Sequence, residues 1–332
     1  MWALIVCSVA TCVVSLWMLY PRKVWDARGK VGGCVRLTMQ RVLVTGGSQG
    51  LGLALAQRLA SRGAHVVICS RTQSRLEAAL REVEGARVDA AQELRYVAAD
   101  VSTFAGAQEA LAACGAVPDT VFCCAGGAKP GYFVEQDEAD FEAAVRTDYF
   151  TALATAHASA KAMRAQGVAG RIVLVSSVVG MMGLVGYAQY APMKYAIRGL
   201  AETLRSEFQL YGLQVHCYCP ATILSPGYDE EQKTKPQVTK DLEEGDEHKT
   251  PAQCAAHLLR GVERGRFLIT DGLVGSLLRV TTSGSAPGHG VLVDSVLAVP
   301  ARLLLLGWRR WIADRMVARA GRAGAGAAGA AL

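Results

Sequence analysis

The stretch YAQYAPMKYA holds a tyrosine and a lysine at a spacing that could move a proton. Tyr190 and Lys194 are four residues apart, so on a helix they lie on the same face. A free tyrosine has a pKa of about 10, and a neighbouring ammonium group lowers that pKa because it favours the phenolate. Pro192 is tolerated in a first helical turn, which predicts that Tyr190 lies close to a helix start. The pair therefore indicates a proton donor, although the same spacing is common on ordinary surface helices.

Two adjacent serines precede this pair. Ser176 ends the apolar run RIVLVS, and Ser177 follows it directly. A serine hydroxyl at a strand end could hold a carbonyl oxygen while Tyr190 gives that oxygen a proton. Reduction of a carbonyl also needs a hydride, which a nicotinamide cofactor supplies. These residues therefore predict carbonyl reduction if a dinucleotide site accompanies them.

The segment VLVTGGSQGLGLALAQRL indicates such a dinucleotide site. Gly46, Gly50 and Gly52 follow a strand pattern and open a helical pattern, so the backbone can approach a pyrophosphate that the helix N-terminus faces. Ser48 and Gln49 lie between these glycines and complete the predicted cofactor-binding loop. A tight turn without a ligand is the alternative, and it does not easily explain three glycines and a serine together.

The end of the second strand pattern, VVICSRTQSR, indicates which dinucleotide binds. Ser70 and Arg71 stand where NAD-specific sites place an acidic residue, and Arg75 follows one helical turn later. Arginine attracts a 2′-phosphate and can bond it through two N–H groups, whereas a carboxylate repels it. We therefore predict NADPH as the cofactor. The alternative is that both arginines are only solvated surface charges.

Two further strand ends supply cofactor contacts in this interpretation. Asp100 and Val101 end the third strand, where an adenine would lie. Ala125 and Gly126 follow the fourth strand and allow a close approach to the nicotinamide-side ribose. Each signal is moderate alone, and their order along the chain strengthens them.

The elements that must position these residues are short apolar runs that alternate with helical patterns. The runs are RVLVT (41–45), HVVICS (65–70), LRYVAA (94–99), TVFCC (120–124), RIVLVS (171–176), QVHCYC (214–219) and RFLI (266–269). Continuous apolar strands indicate a parallel sheet that is buried on both faces. Strand–helix alternation over 40–272 predicts a doubly wound, Rossmann-like α/β domain.

Composition limits the classes of function. The chain has 332 residues, of which 51% are hydrophobic and 19% charged, so it can bury a large core. The net charge of +6 is mild, and the body has no basic stripe with interleaved aromatic residues, so nucleic-acid binding is excluded. The ten cysteines lack metal-ligand spacing, and several fall in apolar runs, which indicates free thiols in a reducing compartment.

The N-terminus differs from the body. Its first twenty residues, MWALIVCSVATCVVSLWMLY, carry no charge and would form a helix of about 30 Å. No basic segment precedes this run and no small-x-small site ends it, so we expect a membrane anchor over 1–21 rather than a cleaved signal peptide. Residues 22–39 are then a linker. Its positive charges place the body in the cytosol.

The C-terminal part is again apolar. We expect residues 273–316 to associate with a membrane. Asp294, Pro300 and Arg302 interrupt the apolar run, which favours a helix in the membrane interface over one that spans the bilayer. The low-complexity tail over 317–332 is predicted to be disordered.

Together these motifs resemble the short-chain dehydrogenase/reductase family over about residues 40–270. The matching segments are TGGSQGLG for its TGxxxGxG, CCAG for its NNAG, and a Ser–Tyr–xxx–Lys set. The resemblance implies that Tyr190 donates the proton and that Lys194 stabilises the phenolate and holds the nicotinamide ribose. It also implies that Ser177, thirteen residues before the tyrosine, is the catalytic serine, with Ser176 as the alternative.

Another segment, CYCPATILSPG, resembles the part of the family that closes over the nicotinamide, which implies cofactor contacts from Pro220 and Ile223. The sequence departs from the family at two points. Cys123 and Cys124 replace the asparagines of NNAG, and Asp148 replaces a helix asparagine that holds a water in a proton relay to the lysine. We expect the relay to survive with an altered pH dependence, and loss of catalysis is the alternative.

Within the family, SPGYDEEQKTKPQVTK and ITDGLVGSLLRVTTSGSAP resemble segments of members that reduce the 3-keto group of 3-dehydrosphinganine to sphinganine. This implies a long-chain keto-base lipid as substrate, NADPH as cofactor and a catalytic domain on the cytosolic face of the endoplasmic reticulum membrane. Residues 224–250 are then a mobile lid, with a disordered insertion as the alternative.

Other interpretations stay open at this point. The substrate could be another lipid ketone, such as a steroid, a retinoid or acyl-dihydroxyacetone phosphate. A membrane protein that binds NADPH without catalysis is the alternative from a different class. A homo-oligomer is compatible with the sequence, which does not fix the oligomeric state.

Overall fold

Seven parallel strands form one sheet in the computed structural model, which describes residues 40–282, 284, 286 and 288–329. The strands are β1 (Arg41–Thr45), β2 (His65–Ser70), β3 (Leu94–Ala98), β4 (Thr120–Cys123), β5 (Arg171–Val175), β6 (Gln214–Cys219) and β7 (Leu268–Thr270). Their order is β3-β2-β1-β4-β5-β6-β7, and all neighbours pair in parallel. The strand order reverses between β1 and β4, so the predicted doubly wound fold is confirmed for the body.

The apolar character of these runs explains their central place in the sheet. Leu43 and Val44 in β1, Phe122 in β4 and Ile172 in β5 are fully buried. Helices cover both faces of a doubly wound sheet, so residues on either side of a central strand lose their contact with water. This burial is the main driving force for the sheet.

Twelve α-helices accompany the strands in the part of the chain that the structure describes. They are α1 (Gly50–Ala60), α2 (Gln73–Gly85), α3 (Phe104–Ala112), α4 (Glu138–Ala144), α5 (Thr151–Ala165), α6 (Ala191–Glu207), α7 (Pro226–Thr234), α8 (Gln237–Glu243), α9 (Pro251–Glu263), α10 (Gly272–Thr282), α11 (Val291–Trp308) and α12 (Asp314–Gly329). Helix α1 packs against α2 and α9, whereas α5 packs against α3 and α6. The two groups of helices cover the two faces of the sheet.

Shorter helical turns join some of these elements. A π-helical segment, Val145–Phe150, connects α4 to α5. A 3₁₀ turn, Val178–Gly180, follows β5 and precedes α6. Insertions of π-helix often occur at functional sites, and this one contains Asp148.

The C-terminal part is helical. Helix α11 packs on α10, and a second π-helical segment, Arg309–Ala313, joins α11 to α12. Within the tail that the sequence predicts to be disordered, α12 continues to Gly329, and residues 330–332 lie outside the described residues. Its sequence is rich in alanine, the residue with the highest helix propensity, which outweighs the interspersed glycines.

The sequence also predicted membrane-associated segments at both ends of the chain. The predicted anchor over 1–21 and the linker over 22–39 lie outside the described residues. Among the helices that are described, none has both the length and the apolar character needed to cross a bilayer.

Candidate active site

A cleft of about 1280 Å³ opens at the carboxyl ends of the strands. Its wall is formed by the glycine loop after β1, the ends of β2 to β6, the segment over 220–246 and the C-terminal helices α10 and α11. In doubly wound sheets, ligands bind at this edge, where the strand order reverses. The cleft contains most of the site residues that the sequence predicts.

At the centre of the cleft, the predicted tyrosine and lysine meet. Tyr190 is the residue before α6, and Lys194 lies one turn into that helix. The Lys194 Nζ atom is 5.0 Å from the centroid of the Tyr190 ring and 3.0 Å from Oδ1 of Asp148. The backbone N–H of Gly127 also donates to that oxygen, at 3.1 Å. The side chains of Lys194 and Asp148 are 5% and 0% exposed, so their ion pair is buried.

Gly126 makes room for this ion pair. A Cβ atom at this position would lie 2.7 Å from Oδ1 of Asp148 and 3.1 Å from Nζ of Lys194. The sequence predicted Gly126 as a close approach to a ribose, and the structure shows a second reason for a glycine there. The carboxylate that replaces the family asparagine therefore contacts the lysine directly.

Protonation of the tyrosine differs from the expectation. Burial raises the pKa of Tyr190 to about 12, because it outweighs the opposing charge of Lys194 and a hydrogen bond with Ser177. The charges of Asp148 and Glu231 raise that pKa further. The expected lowering by Lys194 is present, but it is smaller than the effect of burial. Tyr190 is therefore protonated at neutral pH.

The lysine keeps its charge for a related reason. Burial alone would lower the pKa of Lys194, but the Asp148 carboxylate and the Tyr190 phenol raise it above the ordinary value. A positive charge therefore stays beside Tyr190 across the physiological range.

The two serines have different environments. The Ser176 hydroxyl is buried and donates to the backbone oxygen of Lys194, at 2.7 Å. The Ser177 hydroxyl accepts from the N–H of Val179, at 3.4 Å, and it lies close enough to Tyr190 to lower the pKa of that tyrosine slightly. Ser176 therefore supports the first turn of α6, and the geometry favours Ser177 as the serine that can reach a ligand beside Tyr190.

The glycine loop fits a dinucleotide. Gly46 has a φ of +68°, and a Cβ atom there would lie 2.7 Å from the backbone N of Ala125. The loop can therefore pass close to the end of β4 only with a glycine at this position. Its predicted cofactor-binding residues, Gly46, Ser48, Gln49, Gly50 and Gly52, all line the cleft.

Basic residues mark the next part of the cleft wall, which we call the arginine end and define by Arg71, Arg75 and Arg146. The Oγ atom of Ser70 is buried there and has no hydrogen-bond partner among the described residues. An orphaned hydroxyl beside guanidinium groups suits a phosphate, which would accept its hydrogen bond. The arginine end therefore suits a phosphate group of a dinucleotide.

The other predicted cofactor contacts also line the cleft. Asp100 and Val101 follow β3, and the Oδ1 atom of Asp100 accepts from the N–H of Ser102, at 3.0 Å. Pro220 and Ile223 follow β6, and the Pro220 backbone oxygen accepts from Val178 N–H, at 2.9 Å.

Of the two cysteines that replace family asparagines, Cys123 is buried and Cys124 is half-buried. Cys123 belongs to β4, and Cys124 lies beside Lys194 in the cleft wall. Burial raises the pKa of Cys124 to about 12, so it stays a neutral thiol. The seven cysteines within the described residues are all free.

The charged stretch over 224–250 forms two helices, α7 and α8, instead of a disordered insertion. The sequence analysis did not identify a group of polar residues in and beside this stretch. We call this group the lid cluster and define it by Tyr187, Glu231, Lys235 and Glu243. The spacing of Glu231 and Lys235, four residues apart on a helix, was the one available signal. Their partners are distant in sequence, so no local pattern could indicate them.

The C-terminal helices contribute an apolar wall that the sequence did not predict. Its residues in α10 and α11 include Val274, Leu278, Leu304 and Trp308. Trp308, in the C-terminal apolar stretch, also lines the cleft. The cleft thus joins a polar centre to an apolar wall.

Known proteins match both the sequence and the fold. The family model for short chain dehydrogenases matches residues 40–236. The 3-ketodihydrosphingosine reductase of Cryptococcus neoformans is 37% identical over 290 residues, which cover 86% of this chain and 83% of that protein. The 3-ketodihydrosphingosine reductase of Aspergillus fumigatus is 34% identical over 294 residues and 80% of each chain.

A solved structure supports the fold alone. The short-chain dehydrogenase of Sphingobium yanoikuyae in complex with NADPH superposes with a TM-score of 0.62 at 22% identity, and the match covers 80% of this chain and 94% of that one. The resemblance seen in the sequence is confirmed by the family model and by the curated relatives together. This chain belongs to the short-chain dehydrogenase family.

Proposed function

We propose that this protein reduces the 3-keto group of 3-dehydrosphinganine to sphinganine with NADPH. The observation that carries the proposal is the similarity to 3-ketodihydrosphingosine reductases, which extends over 290 residues and so beyond the range that the family model matches. The second lid helix, α8, and the C-terminal helices α10 and α11, all of which line the cleft, lie beyond that range.

The centre of the cleft supplies the proton chemistry. NADPH, when bound, supplies the hydride for the carbonyl carbon. Tyr190 donates its hydroxyl proton to the carbonyl oxygen, and the Ser177 hydroxyl donates a hydrogen bond to the same oxygen. Lys194 stabilises the phenolate that the tyrosine becomes, because its ammonium group stays charged beside the ring.

Asp148 acts on this chemistry through the lysine. Its carboxylate holds Lys194 at 3.0 Å, and its second oxygen, Oδ2, is buried without a hydrogen-bond partner among the described residues. Such an oxygen can accept a hydrogen bond from a water molecule that resupplies protons to Lys194. The relay is then retained with a negative charge added near the tyrosine.

The preference for NADPH rests on the arginine end. Arg71 and Arg75 are exposed and line the cleft, so their guanidinium groups can turn towards a 2′-phosphate. The Ser70 hydroxyl gives that phosphate a buried donor. NADH lacks the phosphate and gains nothing from these groups.

Association with the endoplasmic reticulum membrane, with the catalytic domain in the cytosol, is part of the proposal. Helix α11 exposes apolar side chains, among them Val296 at 72% and Val299 at 66%. A surface of this kind suits the interface of a bilayer, from which a long-chain lipid could enter the cleft. Flotation of the full chain with liposomes tests this part, and a protein that stays at the bottom of the gradient contradicts it.

The reaction itself is tested by NADPH consumption. Purified protein is supplied with 3-dehydrosphinganine and, in parallel, with a steroid ketone, a retinal and acyl-dihydroxyacetone phosphate. We expect rapid oxidation of NADPH with the keto base and formation of sphinganine. Turnover of another ketone alone would assign a different substrate, and NADPH binding without turnover of any ketone would indicate a protein without catalysis.

A further inference from the structure

The lid cluster is a network of buried and half-buried polar side chains in the cleft wall. The Tyr187 hydroxyl donates to Oε1 of Glu231, and it lies 2.9 Å from Oε1 of Glu243. The Lys235 Nζ atom lies 2.8 Å from Oε1 of Glu231 and 2.6 Å from Oε2 of Glu243. The network thus joins the two lid helices to the loop that precedes Tyr190.

Packing holds this network in one geometry. The Lys235 ammonium lies between two aromatic rings, 5.5 Å from the centroid of Tyr187 and 5.3 Å from that of Tyr228. Helix α8 is tied to the same loop, because the Thr239 hydroxyl donates to the backbone oxygen of Val185 at 3.0 Å. Fixed side chains can orient a ligand at little cost in entropy.

The two carboxylates of the lid cluster differ in how many of their oxygens have hydrogen-bond partners. Both oxygens of Glu243 have partners, one in Tyr187 and the other in Lys235. Both partners of Glu231 contact its Oε1. Within the part of the chain that the structure describes, no side chain is found hydrogen-bonded to Oε2 of Glu231. That residue also lines the cleft, so its second oxygen is available to a ligand.

The lid cluster carries an excess negative charge. It contains two carboxylates and one ammonium group, and Tyr187 stays neutral because burial and the two carboxylates raise the pKa of its hydroxyl far above the ordinary value. A partly buried carboxylate with an unused oxygen attracts a cation. The ring of Tyr187, whose hydroxyl donates to Glu231, has its centroid 5.9 Å from that of Tyr190, so a cation bound at Glu231 would lie on the Tyr190 side of the cleft.

We propose that Oε2 of Glu231 binds the protonated amine of the substrate, on the carbon next to the ketone. The inference rests on the proposed function, because 3-dehydrosphinganine is an amino ketone of this kind. A primary amine is protonated at neutral pH, and a charge-assisted hydrogen bond to a carboxylate is its strongest ordinary partner.

The bond would also position the carbonyl. The amine-bearing carbon is bonded directly to the carbonyl carbon, so fixing the nitrogen at Glu231 limits where the carbonyl oxygen can lie. Tyr190 and Ser177 then meet that oxygen in a defined orientation, which lowers the entropy lost on reaching the transition state. Glu231 is thus a specificity residue for amino ketones.

The test compares two ketones on wild type and on Glu231→Gln. One substrate is 3-dehydrosphinganine, and the other is a ketone of the same chain length and hydroxylation that lacks the amine. We expect Glu231→Gln to lower kcat/KM for the amino ketone by roughly 10- to 100-fold, mainly through KM, because a hydrogen bond to a charged group is lost. The value for the amine-free ketone should change by less than about 3-fold, because that substrate brings no charge to Glu231 and Lys235 keeps its ion pair with Glu243.

The control variant is Glu230→Gln, next to Glu231 on α7. Glu230 is 70% exposed and pairs with Lys233, and we expect its replacement to leave both ketones unaffected. NADPH binding by Glu231→Gln, followed by cofactor fluorescence, shows whether the variant is folded. Equal losses of kcat/KM on both ketones would overturn the proposed role of Glu231 and would leave the proposed function intact. No turnover of 3-dehydrosphinganine by the wild type would overturn the proposed function and, with it, this inference.

Discussion

The arginine end and the lid cluster belong to the same cleft, but they carry opposite charges and differ in exposure to solvent. The arginines of the former are cleft-lining side chains on the rim of the sheet, and Arg71 and Arg75 are exposed. The acids of the latter are largely buried, with side chains of Glu231 and Glu243 that are 19% and 16% exposed. Exposed arginine side chains can adjust their positions to a phosphate. A carboxylate that is held by hydrogen bonds and an ion pair presents its free oxygen to a ligand in one fixed direction.

This difference teaches how one cleft can separate two tasks. Flexible basic residues suit a cofactor that must bind and leave in every cycle, and they contribute affinity. A rigid acidic cluster suits the orientation of a substrate. The ion pair of Lys194 and Asp148 lies at the reacting centre and is neutral overall, so it adds to neither charge.

The largest effect is expected at the centre that both regions serve. Tyr190→Phe removes the proton donor, and kcat should fall by about 10²- to 10⁴-fold while NADPH affinity is retained. Steady-state rates with 3-dehydrosphinganine and cofactor titration measure both quantities. Tyr195→Phe is the matched control, because Tyr195 lies on the same helix and is 44% exposed. Equal rates for Tyr190→Phe and wild type would remove this residue from the chemistry.

The arginine end is tested by its selectivity. Arg71→Ala should weaken NADPH binding by roughly 10- to 100-fold, because a hydrogen-bonded charge opposite the 2′-phosphate is lost, and NADH binding should change little. Cofactor titrations with both dinucleotides measure the ratio. Arg81→Ala, on the exposed side of α2, provides the control. An equal loss for NADH and NADPH would show that Arg71 is only a surface charge.

The rigidity of the lid cluster is tested at Glu243, the carboxylate whose two oxygens both have hydrogen-bond partners. Glu243→Gln removes a charge that binds both Tyr187 and the buried Lys235, so we expect the free energy of unfolding to fall by about 1–3 kcal/mol. Unlike Glu231→Gln, this variant should lose activity equally with amino ketones and amine-free ketones. Thermal unfolding and the two kcat/KM values measure these effects. Unchanged stability would mean that the cluster does not hold the lid.

The smallest effect is expected at the ion pair between the two regions. The Asp148 carboxylate raises the pKa of Tyr190, so Asp148→Asn should lower it. Reduction needs the protonated tyrosine and is lost as the pH rises through that pKa, so the basic limb of the rate profile should move to lower pH, by about one unit.

Profiles of kcat/KM against pH for wild type and Asp148→Asn measure this shift. Asp137→Asn is the matched control, because Asp137 is an exposed aspartate that precedes α4. If Asp148→Asn leaves both the rate and the profile unchanged, the carboxylate has no part in the relay.

Much of the fold was available from the sequence. All seven strands lie within about two residues of the predicted runs, because continuous β-branched segments between helical patterns have few other ways to be buried. Local chemistry also located the glycine loop, since its glycines and the start of α1 are adjacent in the chain. Membership in the family followed from these same motifs.

The site was predicted less completely. The family spacing favoured Ser177 over Ser176 but left both open, and the structure adds that the Ser176 hydroxyl is bonded to the Lys194 backbone. The raised pKa of Tyr190 was also missed, because burial depends on chain segments far from it in sequence. The contact of Asp148 with Lys194 joins residues 46 positions apart.

By itself, therefore, the sequence determined the parallel sheet, the dinucleotide loop, the pairing of Tyr190 with Lys194 and the family. These depend on periodicity and on short spacings along one chain segment. Only the tertiary structure showed that the Ser176 hydroxyl is held by the Lys194 backbone, how strongly Tyr190 holds its proton and that a lysine and two glutamates belong to the lid cluster. Burial and charge at a site are sums over neighbours from many segments, and those neighbours are known only when the chain is folded.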